Sequence, residues 1–252
     1  MEVHHHSHTA PAHGGTGRKK WTHYLFEFLM LFLAITAGFL VENLREHYVE
    51  NKREKSFIKS FVEDLKQDTA KINSNIQLRS IKIMMLDSLI KILNSPDPNR
   101  YGQSAYYFGR RLTRSTLFQS NDRTIKQLKN AGGLRLIRNQ TASNTIMSYD
   151  QEIDYINYLQ TNRESLELGS IYPFLSKLFD GNVLETMIKG LDINRPSGNP
   201  ALRSLDKNLI LDLIYFIHQY KSSSIVIISR LQTLKQSAIQ AAQFLQKEYY
   251  LK

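Results

Sequence analysis

Five histidines near the N-terminus are the residues whose type most directly suggests chemistry. Neutral imidazoles bind Zn²⁺, Ni²⁺ or Cu²⁺, and the candidate ligands are His4, His5, His6 and His8, with His13 further along. Three glycines follow closely (Gly14, Gly15 and Gly17), and such a tail fixes no coordination geometry for a metal. The sequence therefore predicts a flexible head with weak, incidental affinity for transition metals, and it predicts no cofactor.

A second group of candidate residues is a basic segment over positions 100–138. It holds nine basic side chains against one acid, Asp122, and so carries most of the net charge of +10. The candidate anion-binding residues are Arg110, Arg111, Arg114, Arg123, Lys126, Lys129, Arg135 and Arg138. Interleaved aromatics make this composition typical of nucleic-acid patches, and an acidic protein, a glycan or an anionic lipid would also fit. A solvated basic face is the simpler interpretation, and nucleic acid is the least favoured partner.

The sequence offers no catalytic constellation. It contains no cysteine, which excludes disulfide scaffolds, thiolate zinc sites, iron–sulfur clusters and a cysteine nucleophile. The motifs GxSxG, GxxxxGK[ST] and HExxH are also absent. Apart from the head and from His23 and His47, the remaining histidine is His218, which the helical pattern places at a helix surface or interface. We predict no catalytic residues and no enzymatic activity.

An apolar stretch of 21 residues runs from Trp21 to Val41, and its only charged side chain is Glu27. As a helix this stretch covers about 30 Å, the thickness of a bilayer core. A basic triplet at 18–20 precedes it and no small-residue cleavage site follows, which indicates an uncleaved signal anchor. We expect the N-terminus in the cytoplasm and the C-terminal part outside, although basic residues also follow the span.

Polar and small residues inside this span could contact another helix. Ala34 and Gly38 form a small-xxx-small pair, and Ala37 lies beside them, so two helices could approach closely there. Glu27 is explained most simply as a carboxylate that snorkels or is protonated. The alternatives are an ion or proton relay and a hydrogen bond between subunits.

Two heptad-like seams predict two long helices. Apolar positions separated by three or four residues indicate such a seam. The first seam comprises Ile58, Val62, Leu65, Thr69, Ile72, Ile76, Arg79, Ile83, Leu86, Ile90 and Leu93, and only Thr69 and Arg79 interrupt it. The second seam comprises Ile210, Leu213, Ile217, Tyr220, Ser224, Ile227, Leu231, Leu234, Ala238, Ala241 and Leu245. The two predicted helices either pack antiparallel within one chain, which would return Tyr249 to the membrane surface, or each helix pairs with its own copy in an oligomer.

The predicted fold class is all-α. Helical spacing over 139–168, a helix over 122–131 that ends at Gly132 and Gly133, and no run of period-two alternation support this. Prolines at 96 and 98 end the first long helix. The predicted segments are a His-rich basic head (1–20), a transmembrane helix (21–41), a stalk helix (42–94), a distal helical domain (95–205) and a long C-terminal helix (206–252).

Three stretches together resemble an uncharacterised bacterial family of single-pass membrane proteins, known only as a domain of unknown function. These stretches are MEVHHHSH, YLFEFLMLFLAITAGFLVENLREHYVENKREK and TIKQLKNAGGLRLIRN. The resemblance covers the first 70 or so residues closely and the middle loosely. It implies that the histidines are native and that the chain is a single-pass protein of the bacterial inner membrane. It assigns no activity, so it implies no functional residues.

Taken together, these patterns favour a non-enzymatic single-pass inner-membrane protein that acts as a scaffold, sensor or assembly partner. We expect a homo-oligomer or a membrane partner protein, because a long helix must bury its apolar stripe. The first alternative is an ion-linked component of a membrane complex that uses Glu27. The second is a binder of anionic partners through residues 100–138.

Overall fold

A computed structural model of the chain describes residues 17–114, 116–130, 132–190 and 192–251. The fold is all-α, as the sequence predicted. The α-helices are α1 (Gly17–Leu93), α2 (Gly102–Leu112), α3 (Arg123–Asn130), α4 (Gln140–Tyr158), α5 (Ser165–Leu178), α6 (Gly181–Thr186) and α7 (Lys207–Glu248). Short 3₁₀ turns span Pro98–Tyr101 and Gly133–Leu136, and a π-helical turn spans Leu159–Glu164.

The chain divides into two compact units after Arg53. In the first unit, the part of helix α1 over Trp21–Val41 has almost every side chain exposed. The most apolar 18-residue window of α1 has a mean hydropathy of 2.1 and none of it is buried. Within the described residues, α1 is the one helix long and apolar enough to cross a membrane.

In the second unit, Glu54–Lys252, helix α7 packs antiparallel against α1. Two side-chain contacts far apart on α1 fix the direction: Glu54 with Tyr249, just after α7, and Lys82 with Tyr220. The partner residue therefore moves back along the chain from 249 to 220 as α1 advances from 54 to 82, and Lys221 with Asp87 is a further contact near the second pair. All eleven predicted seam residues of α7 are buried, and those of α1 are buried or half-buried. Both seams are thus buried within one chain, in apolar clusters that they share with the middle helices.

The middle helices complete two apolar clusters along this helix pair. One cluster joins Ile58–Ile72 of α1, α3, α4 and the C-terminal half of α7. The other joins Leu86–Leu93 of α1, α2, α5 and the N-terminal half of α7. Helices α4 and α5 both contact α7. From Glu54 onwards, the predicted stalk lies in one compact unit with the segments predicted as distal domain and C-terminal helix, since the middle helices share both cores with α1 and α7.

A two-stranded antiparallel hairpin is the part of the fold that periodicity did not indicate. Strands β1 (Ile188–Lys189) and β2 (Asp192–Ile193) pair with Ile188 opposite Ile193. Gly190 in the turn has φ of 63°, a left-handed conformation that glycine adopts without steric cost. Strands of two residues are too short for alternation to reveal them.

Candidate functional site

The predicted metal ligands His4, His5, His6 and His8 lie outside the described residues. Within the described ranges 17–114, 116–130, 132–190 and 192–251, no group of three or more His, Asp and Glu side chains is arranged to hold a metal ion. His218 is exposed on α7, consistent with a helix-surface residue.

The candidate residues of the apolar segment are all exposed on α1. These residues are Glu27, Ala34, Ala37 and Gly38. A Cβ atom built on Gly38 would meet nothing within 4 Å. In the described part of the chain, no hydrogen bond or ion pair engages the Glu27 carboxylate. All four positions of α1 are therefore exposed to its surroundings.

The structure distributes the eight candidate anion-binding residues over several elements. Arg110 and Arg111 lie on α2, Arg114 follows it, three lie on α3, Arg135 lies in the 3₁₀ turn Gly133–Leu136, and Arg138 follows that turn before α4. The three cations of α3 pair with carboxylates: Arg123 with Asp64 at 3.8 Å, Lys126 with Asp122 at 2.5 Å and Lys129 with Asp150 at 2.5 Å. Arg114 contributes its carbonyl oxygen, which accepts from Lys82.

The densest polar site is buried in the second unit and centres on Arg79, the residue that interrupts the first seam. Its side chain is 1% exposed and forms a bidentate pair with Glu164 at 2.8 and 3.0 Å. Its Nε donates to Asn75 at 2.9 Å, and its Nη2 donates to Gln160 at 3.2 Å and to the carbonyl of Thr116 at 2.8 Å. A planar guanidinium suits this geometry because its donors form a rigid fork.

The π-helical turn positions two of these acceptors. A π turn adds a residue to a helix and rotates its side chains, and such turns recur at functional positions. Here it directs Gln160 and Glu164 to Arg79. The amide of Gln160 also accepts from the backbone N–H of Phe118 at 2.8 Å and donates to its carbonyl at 3.2 Å. The turn thus connects α1 to the loop before α3.

Lys82 extends the site towards α7. Its Nζ donates to the Tyr220 hydroxyl at 2.6 Å and to the carbonyl of Arg114 at 2.5 Å, and it lies 4.6 Å from the centroid of the Tyr220 ring. Burial lowers the pKa of the Lys82 ammonium to about 8, against the opposing effect of the Glu164 charge. Burial and the same carboxylate raise the pKa of the Tyr220 hydroxyl. Ser224 donates to Glu164 at 3.3 Å.

A second polar cluster joins α1 to the start of α3. The Asp64 carboxylate accepts from the hydroxyl and the backbone N–H of Thr124. Asp68 accepts from the backbone N–H of Asn121 at 2.7 Å and from the Tyr149 hydroxyl at 2.9 Å, and burial raises its pKa. Asp64 thus binds an N–H group in the first turn of α3, and Asp68 binds the backbone just before that helix.

Chemically, both clusters consist of groups that satisfy one another. Burying an ion pair costs solvation, and the cost is offset only when the remaining donors and acceptors are also bonded. The Arg79 cluster meets this condition and connects α1, the π-helical turn and α7 between the two apolar clusters. Its geometry is suited to fixing the register of the helices.

Sequence reasoning missed most members of these clusters. Glu164, Gln160, Lys82, Asp64 and Asp68 carry no local motif. A signal was nevertheless present, because Arg79 interrupts the seam of α1 and the polar Tyr220 and Ser224 occupy seam positions of α7. Polar seam positions on two antiparallel helices predict a buried polar contact when they lie at the same level along the axis of the helix pair.

One cation of the basic segment differs from the others. Arg110 faces a cavity of about 370 Å³, and its Nε is buried without a hydrogen-bond partner. Arg203 lines the same cavity. The sequence pattern groups Arg110 with the other cations of residues 100–138 and does not distinguish it from them.

Comparison with known proteins does not assign a family, since no family model, curated protein or solved structure matches the chain.

Proposed function

We propose that the protein is a single-pass protein of the bacterial inner membrane, in which α1 anchors a helical domain that acts as a scaffold, sensor or assembly partner. The support is a contrast between the two units. The apolar segment Trp21–Val41 is exposed all round, whereas Glu54–Lys252 has apolar clusters of its own. A helix with no polar face is stable in a bilayer and not in water.

We further propose that two copies associate through this segment. Glu27, Ala34 and Gly38 fall within about 20° of one line along the helix at 3.6 residues per turn. Small residues let helix backbones approach closely, and a polar side chain in a bilayer gains from a partner on a facing helix. This shared stripe is the observation on which the proposal rests.

Burial of the two seams within one chain supports an association through the membrane segment. A long apolar seam favours oligomers when nothing else covers it. In this protein α7 and the middle helices bury the seam of α1 in shared apolar clusters, so the second unit does not need a second copy to bury those residues. The exposed stripe of the apolar segment is then the surface for self-association.

The test compares two variants in which one alanine is replaced by isoleucine. Ala34→Ile lies on the stripe and Ala37→Ile lies about 80° away from it, and both positions are exposed. Full-length protein labelled with donor or acceptor dyes is reconstituted in phosphatidylcholine vesicles, and energy transfer is followed on dilution with lipid. We expect Ala34→Ile to reduce transfer strongly and Ala37→Ile to leave it unchanged. Equal transfer in both variants and the parent would refute the association.

The exposed Glu27 carboxylate also supports the ion-linked alternative. A second substitution distinguishes an ion-linked role of Glu27 from a hydrogen-bonding role between helices. Glu27→Gln retains a hydrogen-bonding side chain and removes the titratable group. If Glu27 acts as a hydrogen-bonding group between helices, association survives in Glu27→Gln and weakens in Glu27→Ala. An ion-linked role requires that a proton or cation flux disappear in Glu27→Gln vesicles.

Orientation is tested with a single cysteine. Ser197 is exposed in the loop after β2 and the chain has no native cysteine. We expect Ser197→Cys to react with a membrane-impermeant maleimide in spheroplasts, because the proposed topology puts the C-terminal unit outside. Labelling only after lysis would place that unit in the cytoplasm and reverse the topology.

A further inference from the structure

A cavity between α2, α5 and α6 combines two cations with an apolar wall. Its volume is about 370 Å³, within the range of small-molecule sites, which is about 300–1,000 Å³. The residues that give it its character are Arg110, Arg203, Tyr172, Leu175, Phe179 and Leu184. No aspartate or glutamate belongs to its described lining.

Arg110 is the residue that points to a ligand. Its Nε is buried and donates to no acceptor in the described structure, and a buried donor without a partner costs about 1–3 kcal/mol. Its neighbour Arg111 instead lies over the Tyr107 ring at 5.4 Å and donates to that hydroxyl at 3.3 Å. No acceptor for the other donors of the Arg110 guanidinium lies in the described structure either, and an anion in the cavity would supply one to the side chain that lines it.

Arg203 strengthens the positive field of the cavity. Its Nη1 donates to the carbonyl of Ser176 at 3.0 Å, which ties the side chain to the C-terminal turn of α5. A guanidinium has five donors, so others remain for a ligand. Two guanidinium groups beside one cavity suit a carboxylate or a phosphate, both of which they bind through paired hydrogen bonds.

The rest of the wall suits an apolar group. Phe179 is buried, and its ring packs against Tyr106 at a centroid distance of 4.9 Å, so the aromatic wall is held in place. Leu175 is also buried and Leu184 is half-buried, while Tyr172 stands at the open side. A purely inorganic anion would leave this apolar surface unused.

We infer that this cavity binds a small amphiphilic anion, with a carboxylate or phosphate on Arg110 and Arg203 and an apolar body against Phe179, Leu175 and Leu184. The site belongs to the unit Glu54–Lys252 and does not depend on membrane insertion or self-association. It also separates Arg110 from the other cations of the basic segment.

The test uses 4-fluorophenylacetate as the probe and ¹⁹F NMR line broadening as the readout, with the full-length protein in phosphatidylcholine nanodiscs. The neutral isostere 4-fluorophenethyl alcohol controls for the apolar body. We expect the alcohol to bind at least tenfold more weakly than the acid. Arg110→Gln should weaken binding of the acid at least tenfold, while the matched Arg111→Gln, with the same change of charge on the same helix, should leave it unchanged.

Several results would overturn the inference. Equal binding of acid and alcohol would mean a merely apolar cavity, and equal effects of Arg110→Gln and Arg111→Gln would mean nonspecific attraction. If circular dichroism shows that Arg110→Gln does not fold, the comparison of acid and alcohol on the parent protein still decides. Nanodiscs that contain phosphatidylglycerol distinguish the two sources of the anion. If this lipid competes with the probe, the natural anion is a lipid headgroup. If it does not compete, the natural anion is a soluble molecule.

Discussion

Replacing Arg79 by methionine removes the guanidinium from the centre of the buried polar cluster while keeping an unbranched, flexible apolar side chain. The substitution deletes five hydrogen bonds, two of them to Glu164, and leaves that carboxylate buried without its main counter-charge. Breaking a buried ion pair in this way costs about 3–5 kcal/mol. With an m-value of about 3 kcal/mol/M, the urea midpoint falls by about 1–1.7 M.

A double-mutant cycle tests whether this loss arises from the pair itself. Glu164→Met alone should be as damaging as Arg79→Met, since it leaves the guanidinium unpaired, whereas the double variant buries neither charge. We expect the double variant to lose no more than either single variant, giving a coupling energy of at least about 2 kcal/mol. Unfolding is followed by circular dichroism of the full-length protein in dodecyl maltoside. Additive losses would refute the assignment of Arg79 and Glu164 as one interacting unit.

Further predictions concern titration, packing and capping. Burial lowers the pKa of Lys82 to about 8 from 10.5, so between about pH 8 and 9.5 the unfolded chain binds more protons at Lys82 than the folded chain does. The free energy of unfolding should therefore rise by about 2 kcal/mol over that pH range. This rise should vanish in Lys82→Met. A Cβ on Gly109 would lie 2.6 Å from ring carbons of Phe179; Gly109→Ala should cost about 1–3 kcal/mol by urea titration, whereas Gly169→Ala, where a Cβ meets nothing within 4 Å, should gain about 0.5–1 kcal/mol. Asn139→Ala removes the side-chain acceptor at the start of α4. It should lower the free energy of unfolding by about 1 kcal/mol, measured by thermal denaturation.

The long helices were predictable because their information is local. Steps of three and four give the buried face of each seam, and prolines at 96 and 98 mark the end of α1 at Leu93. The pairing of the seams was left open, since an apolar stripe specifies burial and does not specify what buries it. Antiparallel packing emerges from contacts as distant in sequence as Glu54 with Tyr249.

The polar clusters could not be predicted in the same way. Arg79 meets Glu164 across 85 positions of the chain, and the π-helical turn that directs Glu164 inward has no sequence signature. The packing of the middle helices could not be predicted for a related reason. Helices of ordinary amphipathic pattern, such as α4, fit equally well at the tip of a helix pair or along its side, and only packing decides between them.

The position of the Arg79 cluster supplies a physical reason for polar residues in the seams. A slip of α7 by one heptad along α1 would keep the apolar match almost intact, so apolar contacts alone discriminate poorly between registers. In the observed register Tyr220 bonds Lys82 and Ser224 bonds Glu164. A slip of seven residues would replace this polar pair with apolar residues in either direction, namely Leu213 and Ile217 or Ile227 and Leu231. The lysine and the carboxylate would then lose the hydroxyl groups that they bond on α7, and because a hydrogen bond to a charged group contributes about 1.5–3 kcal/mol, the cluster favours one register among several of similar apolar burial.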